Sequence, residues 1–381
     1  MAVCPPAHYT SQLDTDKHTH TIKAATLTTT TTTMSTDRQQ SRSDPTVMSV
    51  GAAGPPRNHP KYLPAMIPKE KPGKEVSFFI DTAQQRDGRE DHVEPGSNTR
   101  IACTMIKASN SDNDSETDLD QSLPVVIICH GLYSWRNQML LGNLASRLTK
   151  DYQCHTVRFD FAGNGHSDGD WRYGGFAREA DNLGTVVDYL RDVMGCSNIV
   201  CVIGHSKGVQ PILDLAVREE TRSNDGLQRI PCFVALSGRY FDGCRHEDET
   251  TNDDGHDKDS STRAVHALFT PSQIAALQTD NVVDARTPMG GRVQLTSQDL
   301  DDVTSRDSGI IQGAHQGRFL IVHGDEDEVV PVHNAARFEA AAPHGEVLIV
   351  EGANHNYNGL RHIRALAVAI SSFLRKNGAI E

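Results

Sequence analysis

The stretch Asn198 to Val217, NIVCVIGHSKGVQPILDLAV, decides the fold. It opens on Ile199-Val200-Cys201-Val202-Ile203, an apolar run rich in β-branched residues. Such a run predicts a strand buried on both faces. Gly204-His205-Ser206-Lys207-Gly208 follows, and then Ile212, Leu213, Leu215 and Ala216 at helical spacing. Strand, tight turn and helix is the setting in which a G-x-S-x-G serine stands at the top of a sheet. The flanking glycines let neighbouring chain come close, and the helix start aims N–H groups and a positive dipole end at the serine.

The pentapeptide alone is weak in a chain with 30 glycines, and this chain carries it twice. The second copy, Gly165-His166-Ser167-Asp168-Gly169, follows Gly163-Asn164 instead of an apolar strand. Asp170-Trp171-Arg172-Tyr173-Gly174-Gly175 comes after it and does not open a helix. Ser167 therefore reads as a loop serine and Ser206 as the nucleophile.

On either side of the elbow, apolar strands alternate with amphipathic helices. Upstream, Val76 to Ile80 and Thr99 to Ile106 read as strands. Pro124 to Cys129 reads as a strand running into His130-Gly131-Leu132. Trp135 to Thr149 reads as a helix with Met139, Leu140, Leu144 and Leu148 on its apolar face. Gln153 to Phe161 is a strand, and Phe176 to Val193 a helix with Leu183, Val186, Val187, Leu190 and Val193 inward. Pro231 to Leu236 is the next strand. The rhythm returns at Arg318 to Val322, Pro331 to Ala341, Glu346 to Val350 and Leu360 to Leu374. This alternation predicts a mostly parallel sheet with helices on both faces. Between these halves, about 238 to 316 lacks a clean β-α unit and is too long for a plain crossover, so it reads as an inserted cap. Weak helices are expected near Pro271 to Leu277 and Ser297 to Val303, with a hairpin around Met289-Gly290-Gly291.

Residues 1–73 are rich in Thr, Ser, Pro and Gln, cannot offset their ordering entropy, and read as a disordered tail before a domain at 74–381. The net charge of -13 is concentrated: Asn110 to Asp120 and Asp242 to Arg263 each carry -5. Acidity confined to loops argues against a nucleic-acid partner. Cys244, His246 and His256 in the second acidic loop lack the spacing of a rigid metal site. The eight cysteines form no C-x-x-C pair and read as free thiols of a reducing, cytoplasmic protein, with organelle targeting by the tail as the alternative. No run of 18 apolar residues is present, so no transmembrane segment is expected.

A serine hydroxyl needs a base in reach, and the base needs an orienting group. In this architecture both follow the nucleophile, acid before histidine, at the ends of later strands. After Phe319 to Val322 comes His323-Gly324-Asp325-Glu326-Asp327-Glu328-Val329-Val330-Pro331, from which Asp327 is the expected acid and Asp325 the alternative. Asp325 and Glu328 are free to cap the helix that follows. After Val347 to Glu351 comes Gly352-Ala353-Asn354-His355, and His355 is the expected base although the chain has 18 histidines. The developing oxyanion needs two fixed N–H donors, expected from the backbone of Lys207 and Leu132.

Taken together, CHGLYSWRN, RFDFAGNGHSDG, GHSKG, HGDEDEVVP and EGANH resemble the α/β-hydrolase superfamily, and within it the feruloyl/cinnamoyl-esterase-like group. The resemblance implies Ser206, Asp327 and His355 as a triad, Leu132 and Lys207 at the oxyanion positions, and Asp160 and Gly165 as scaffold. It implies cleavage of a small carboxylic ester through an acyl-enzyme, without cofactor or metal. Acylglycerol, thioester or peptide substrates are the alternatives, as is a non-catalytic binding protein of the same fold. Two departures stand out. Val209 replaces a frequent glycine, and the charge of Lys207 has no evident purpose.

Overall fold

The computed structural model describes residues 20–22, 75–82, 100–108, 119–221, 228–243, 265, 268–287 and 291–381. Its strands are β1 (His20–Ile22), β2 (Glu75–Asp81), β3 (Arg100–Ile106), β4 (Val125–Cys129), β5 (His155–Phe159), β6 (Ile199–His205), β7 (Cys232–Leu236), β8 (Val282–Arg286), β9 (Arg292–Thr296), β10 (Arg318–Gly324) and β11 (Gly345–Val350). Its helices are α1 (Met139–Tyr152), α2 (Phe176–Asp192), α3 (Val209–Thr221), α4 (Pro271–Asp280), α5 (Ser297–Ser305), α6 (His333–Ala341) and α7 (Leu360–Lys376).

Nine strands form one sheet in the order β1-β11-β10-β7-β6-β4-β5-β3-β2. From β1 to β5 every neighbouring pair is parallel, and β3 and β2 close the far edge antiparallel. The expected α/β class is therefore present. The fully buried strands β4, β6 and β7 carry the continuous apolar runs that a sheet covered on both faces requires, while β5, also fully buried, includes His155, Thr156 and Arg158. One face packs Leu183, Val186, Ile212, Leu213 and Phe338 from α2, α3 and α6. The other packs Leu140, Leu144, Leu148, Leu366 and Ile370 from α1 and α7.

The order β5-β4-β6 contains the reversal that positions the site. The chain leaves β4 toward β5 on one side, then crosses back to β6 on the other. At such a switch point the loops beyond the carboxyl ends of the two strands diverge and leave a crevice. His130-Gly131-Leu132 and Ser206 lie at those two strand ends.

Several details depart from expectation. Helix α1 starts at Met139, not Trp135, because Gln138 is extended (φ -52°, ψ 142°) and its N–H closes a turn onto Trp135 O. Met139 is 53% exposed and Val193 62% exposed, since one is the first residue of its helix and the other lies beyond the end of α2. Neither belongs to the buried stripe. Within the stretch read as a tail, His20 to Ile22 pairs in parallel with Leu348 to Val350. Without that partner β11 would be an open edge, and an edge strand's free N–H and C=O groups accept any extended segment.

Between β7 and β10 the structure holds α4, the antiparallel β8–β9 hairpin and α5, at the places expected. Both helices begin with a full capping box, Thr270 with Gln273 and Thr296 with Asp299. Phe269, Leu277, Ala285, Leu295 and Val303 of this segment pack with Tyr173, Phe176 and Phe241, and against Leu132, Tyr133 and Trp171. Most of both acidic loops lies outside the described residues, as do Cys244, His246 and His256. Six cysteines are described, all buried and free; Cys4 and Cys244 are not among them. Among the described residues no helix is long and apolar enough to cross a membrane, and no His/Cys/Asp/Glu group can hold a metal.

Candidate active site

Ser206 follows β6 directly, with φ +55°, a backbone region that a residue with a side chain occupies only under constraint. The glycines of the motif supply that constraint. A Cβ on Gly204 would collide with the Gly208 carbonyl, and one on Gly208 with the His130 carbonyl. A Cβ on Gly131 would lie 2.9 Å from Ser206 Cβ. The turn is therefore so tight that β4, its exit loop and the elbow touch backbone to backbone. Val209 fits because Gly238, also without a side chain, faces its two methyl groups.

His355 stands over the serine, its Nε2 3.0 Å from Ser206 Oγ. Its Nδ1 lies 2.8 Å from Asp327 Oδ2. A proton on Nδ1, held by the carboxylate, leaves Nε2 as the acceptor for the serine hydroxyl. Asp327 Oδ1 accepts the N–H groups of Val329 (2.9 Å) and Val330 (2.8 Å). Burial by itself would raise this carboxyl, but hydrogen bonds from His323 and His355, the charge of His355 and the Val330 N–H hold it well below the ordinary range.

Asp325, the alternative acid, is used elsewhere: its Oδ1 accepts the Gly352 N–H at 2.6 Å and ties the loop after β10 to the loop after β11. It does not cap α6, whose N-terminus has no side-chain cap. Ser167 is also accounted for. Its hydroxyl donates to Asp160 O (2.5 Å) and accepts the Ala102 N–H (2.9 Å), deep in the scaffold. Ser167→Ala strands a buried N–H, and should cost about 1–3 kcal/mol in urea unfolding while the site around Ser206 keeps its reactivity.

Three supporting residues escaped the reading of the sequence. His323 Nε2 donates to Val330 O at 2.8 Å and sits 3.2 Å from Asp327 Oδ2, so the acid has a second imidazole behind it. Its signal was spacing, since it lies four residues before Asp327 at the end of a strand. Glu179 ion-pairs with Lys207 Nζ at 2.6 Å, which gives the lysine its purpose. The Lys207 side chain turns down toward α2 and leaves only its backbone N–H at the elbow. Glu179 was legible as an acid four residues before Leu183, inside the apolar stripe of α2. Burial raises the Glu179 carboxyl against the pull of Lys207.

The third is His205, which precedes the serine. Its Nε2 donates to the His355 carbonyl at 2.9 Å, and the two rings lie 5.0 Å apart. Burial first, then the nearby His355, push its pKa down to about 3 from 6.5. The folded state thus refuses a proton that the unfolded chain accepts, so stability rises with pH between those values and falls on acidification. His130 and His155 are lowered by burial in the same sense. His205→Asn should make the loss of stability between pH 6 and pH 4 shallower by up to about 1.4 kcal/mol per pH unit, read as urea midpoints across a pH series.

The serine and histidine open onto a cavity of about 530 Å³, walled by Leu132, Tyr133, Tyr173, Phe176, Phe241 and Leu268 and lined also by Arg239, Val329 and Asn358. Trp171 stacks on Tyr133 at 5.5 Å behind the wall.

Residues 126–369 match the family described as the alpha/beta hydrolase family, which is more than half of the chain. The chain belongs to that family. The fold of this α/β hydrolase is shared with solved structures at low identity. Est1E from Butyrivibrio proteoclasticus, solved with ferulic acid bound, is 20% identical, covers 74% of this chain and 97% of its own, and has a TM-score of 0.55. Alpha/beta hydrolase domain-containing protein 10 from mouse is 16% identical, covers 79% and 99%, and has a TM-score of 0.52. No curated protein matches the sequence.

Proposed function

We propose that this α/β hydrolase cleaves a small carboxylic ester, with Ser206 as nucleophile, His355 as general base and Asp327 as its orienting acid. The observation that carries the reading is the unbroken line Ser206 Oγ, His355 Nε2, His355 Nδ1, Asp327 Oδ2, at 3.0 and 2.8 Å across its two hydrogen bonds. Binding alone has no need of a carboxylate behind the imidazole. A second support is the neighbouring cavity, mostly apolar, with few polar groups converging on it.

In the mechanism, Ser206 Oγ attacks the carbonyl carbon as its proton passes to His355 Nε2. The tetrahedral intermediate collapses when that proton is handed to the departing alkoxide, leaving an acyl group on Ser206. Water then loses a proton to the same nitrogen, attacks, and releases the acid and the free serine. Asp327 keeps its charge throughout and stabilises the imidazolium. The oxyanion is assigned to the N–H groups of Lys207 and Leu132. The first lies in the opening turn of a helix, where N–H groups lack intrahelical partners. The second follows Gly131, whose closeness to Ser206 brings that loop to the reacting carbonyl. Each donor contributes about 3–4 kcal/mol to the barrier reduction in such sites. The segment 238–316 is assigned the role of a cap, since its Phe241, Leu268 and Val303 line the cavity and pack with Tyr173 and Phe176.

Labelling with a fluorophosphonate tests the reading. Wild type and Ser167→Ala should label and Ser206→Ala should not. Labelling lost in Ser167→Ala but kept in Ser206→Ala would move the nucleophile to the other motif. A folded wild type that never labels would end the hydrolase reading.

A further inference from the structure

Among the described residues, Lys207 and Arg239 are the lysine and arginine that line the cavity, and of the two the lysine alone is matched to a carboxylate, as are several arginines beyond the wall. Lys207 pairs with Glu179 at 2.6 Å, Arg172 with Asp299 at 3.2 Å and Arg306 with Asp214 at 2.8 Å; Arg337 pairs with Asp242. Arg239, three residues beyond β7, lines the same cavity as Ser206 and His355. Among the described residues it has no carboxylate partner within ion-pair distance. One guanidinium N–H donates to the Val329 carbonyl at 2.9 Å. A guanidinium has five such hydrogens, and it cannot shed its charge as a buried lysine does.

The groups nearest to Arg239 do not neutralise it. Tyr173 is a neutral phenol whose hydroxyl donates to Leu268 O at 3.0 Å. Asp327 is in electrostatic range, but its oxygens are taken by His355, His323 and the N–H groups of Val329 and Val330. The Arg239 backbone is fixed from below, where Gln210 Nε2 donates to its carbonyl at 2.8 Å. The result is a half-buried, permanently charged fork on a fixed backbone, in a chamber whose lining is largely apolar and aromatic. Charges taken out of water in folded proteins are paired, and a guanidinium fork is matched best by a carboxylate in bidentate contact.

We propose that Arg239 forms an anion-binding subsite of this cavity, and that the ester cleaved at Ser206 carries a carboxylate as well as the scissile bond. The proposal rests on the hydrolase reading of Ser206. The partner missing from the protein is supplied by the substrate, and the aromatic wall takes the carbon skeleton between the two groups. A cavity of about 530 Å³ suits a ligand of that size.

The test compares matched esters with and without the anion. On the acyl side the pair is 4-nitrophenyl hydrogen glutarate and 4-nitrophenyl butyrate; on the alcohol side it is 4-carboxyphenyl butyrate and phenyl butyrate. The wild type should favour the anionic member of at least one pair by about 10-fold or more in kcat/KM. That ratio should fall by about 10-fold in Arg239→Met, through KM, and recover in part in Arg239→Lys. A purely structural role, pinning the Val329 loop, would lower both members together and leave the ratio unmoved. No anionic preference in the wild type, or a preference that survives Arg239→Met, overturns the proposal and leaves the hydrolase reading intact. If no ester is turned over, that reading fails, and calorimetry decides on the subsite alone. Monomethyl glutarate would be titrated into Ser206→Ala and into Ser206→Ala/Arg239→Met. Binding lost with Arg239 sustains the anion subsite, and binding absent or equal in both rejects it.

Discussion

Ser206→Ala is expected to lower kcat for ester hydrolysis by on the order of 10⁴- to 10⁶-fold, with KM nearly unchanged. The substitution removes one oxygen and leaves φ +55° as strained for alanine as for serine, so the fold has no reason to change. What disappears is the hydroxyl that lies 3.0 Å from His355 Nε2. His355→Ala should cost about as much, and the double variant hardly more, because the residues act as one unit. Asp327→Asn is the more telling companion. An amide at that position can no longer hold a proton on His355 Nδ1, so the imidazole turns its N–H toward Ser206, and a loss of about 10⁴-fold is expected. Losses that add up across the three positions would show that they do not form a relay.

The second large effect concerns stability. Arg136 and Asp160 are 2% and 0% exposed, and their side chains are in direct contact. Asp160 also accepts the Arg136 N–H at 2.6 Å and the His166 N–H at 2.9 Å, and Gly165 has no side chain because the carboxylate fills that space. Arg136 Nε reaches Thr104 on β3 at 3.0 Å. Asp160→Ala leaves a guanidinium buried without its counter-charge and two N–H groups without acceptors. A loss of about 3–5 kcal/mol is expected from the urea midpoint. Activity should fall further than the folded fraction does, since Arg136 anchors the loop that carries Leu132. Replacing both partners, Arg136→Met with Asp160→Leu, should recover part of the stability, because no charge is then stranded.

The order of the elements could be read in advance because β/α alternation is a local signal. Each strand is a short apolar run, and each helix an apolar stripe. Asp327 and His355 were legible for a related reason. They stand at strand ends after the nucleophile, where the topology admits few residues. The partners of the site were harder. His205, His323, Glu179 and Arg239 gain their meaning from residues 150, 4, 28 and 90 positions away, at His355, Asp327, Lys207 and Val329. Only the shortest of these separations leaves a trace in a sequence window. Asp325 misled for the opposite reason, since an acid ahead of a helix looks like a cap although its carboxylate reaches across to Gly352. The strand at His20 to Ile22 left no signal, because three residues added to an open edge need no pattern of their own.

The bond between Asp325 and Gly352 reaches beyond local anchoring. The Glu326 N–H also donates to Ala353 O at 3.1 Å, and Gly324 lies so close to Ala353 that no side chain fits between them. Asp327 and His355 are thus carried by two loops tied to each other, and Ser206 by the elbow after β6. A strut from His205 Nε2 to His355 O at 2.9 Å joins the elbow to these loops beside Ser206. The pairing of His355 with Asp327 is held by contacts that do not pass through Ser206. The orientation of the imidazole is therefore set independently of the serine, and readiness to react reduces to one separation, that between His355 Nε2 and Ser206 Oγ.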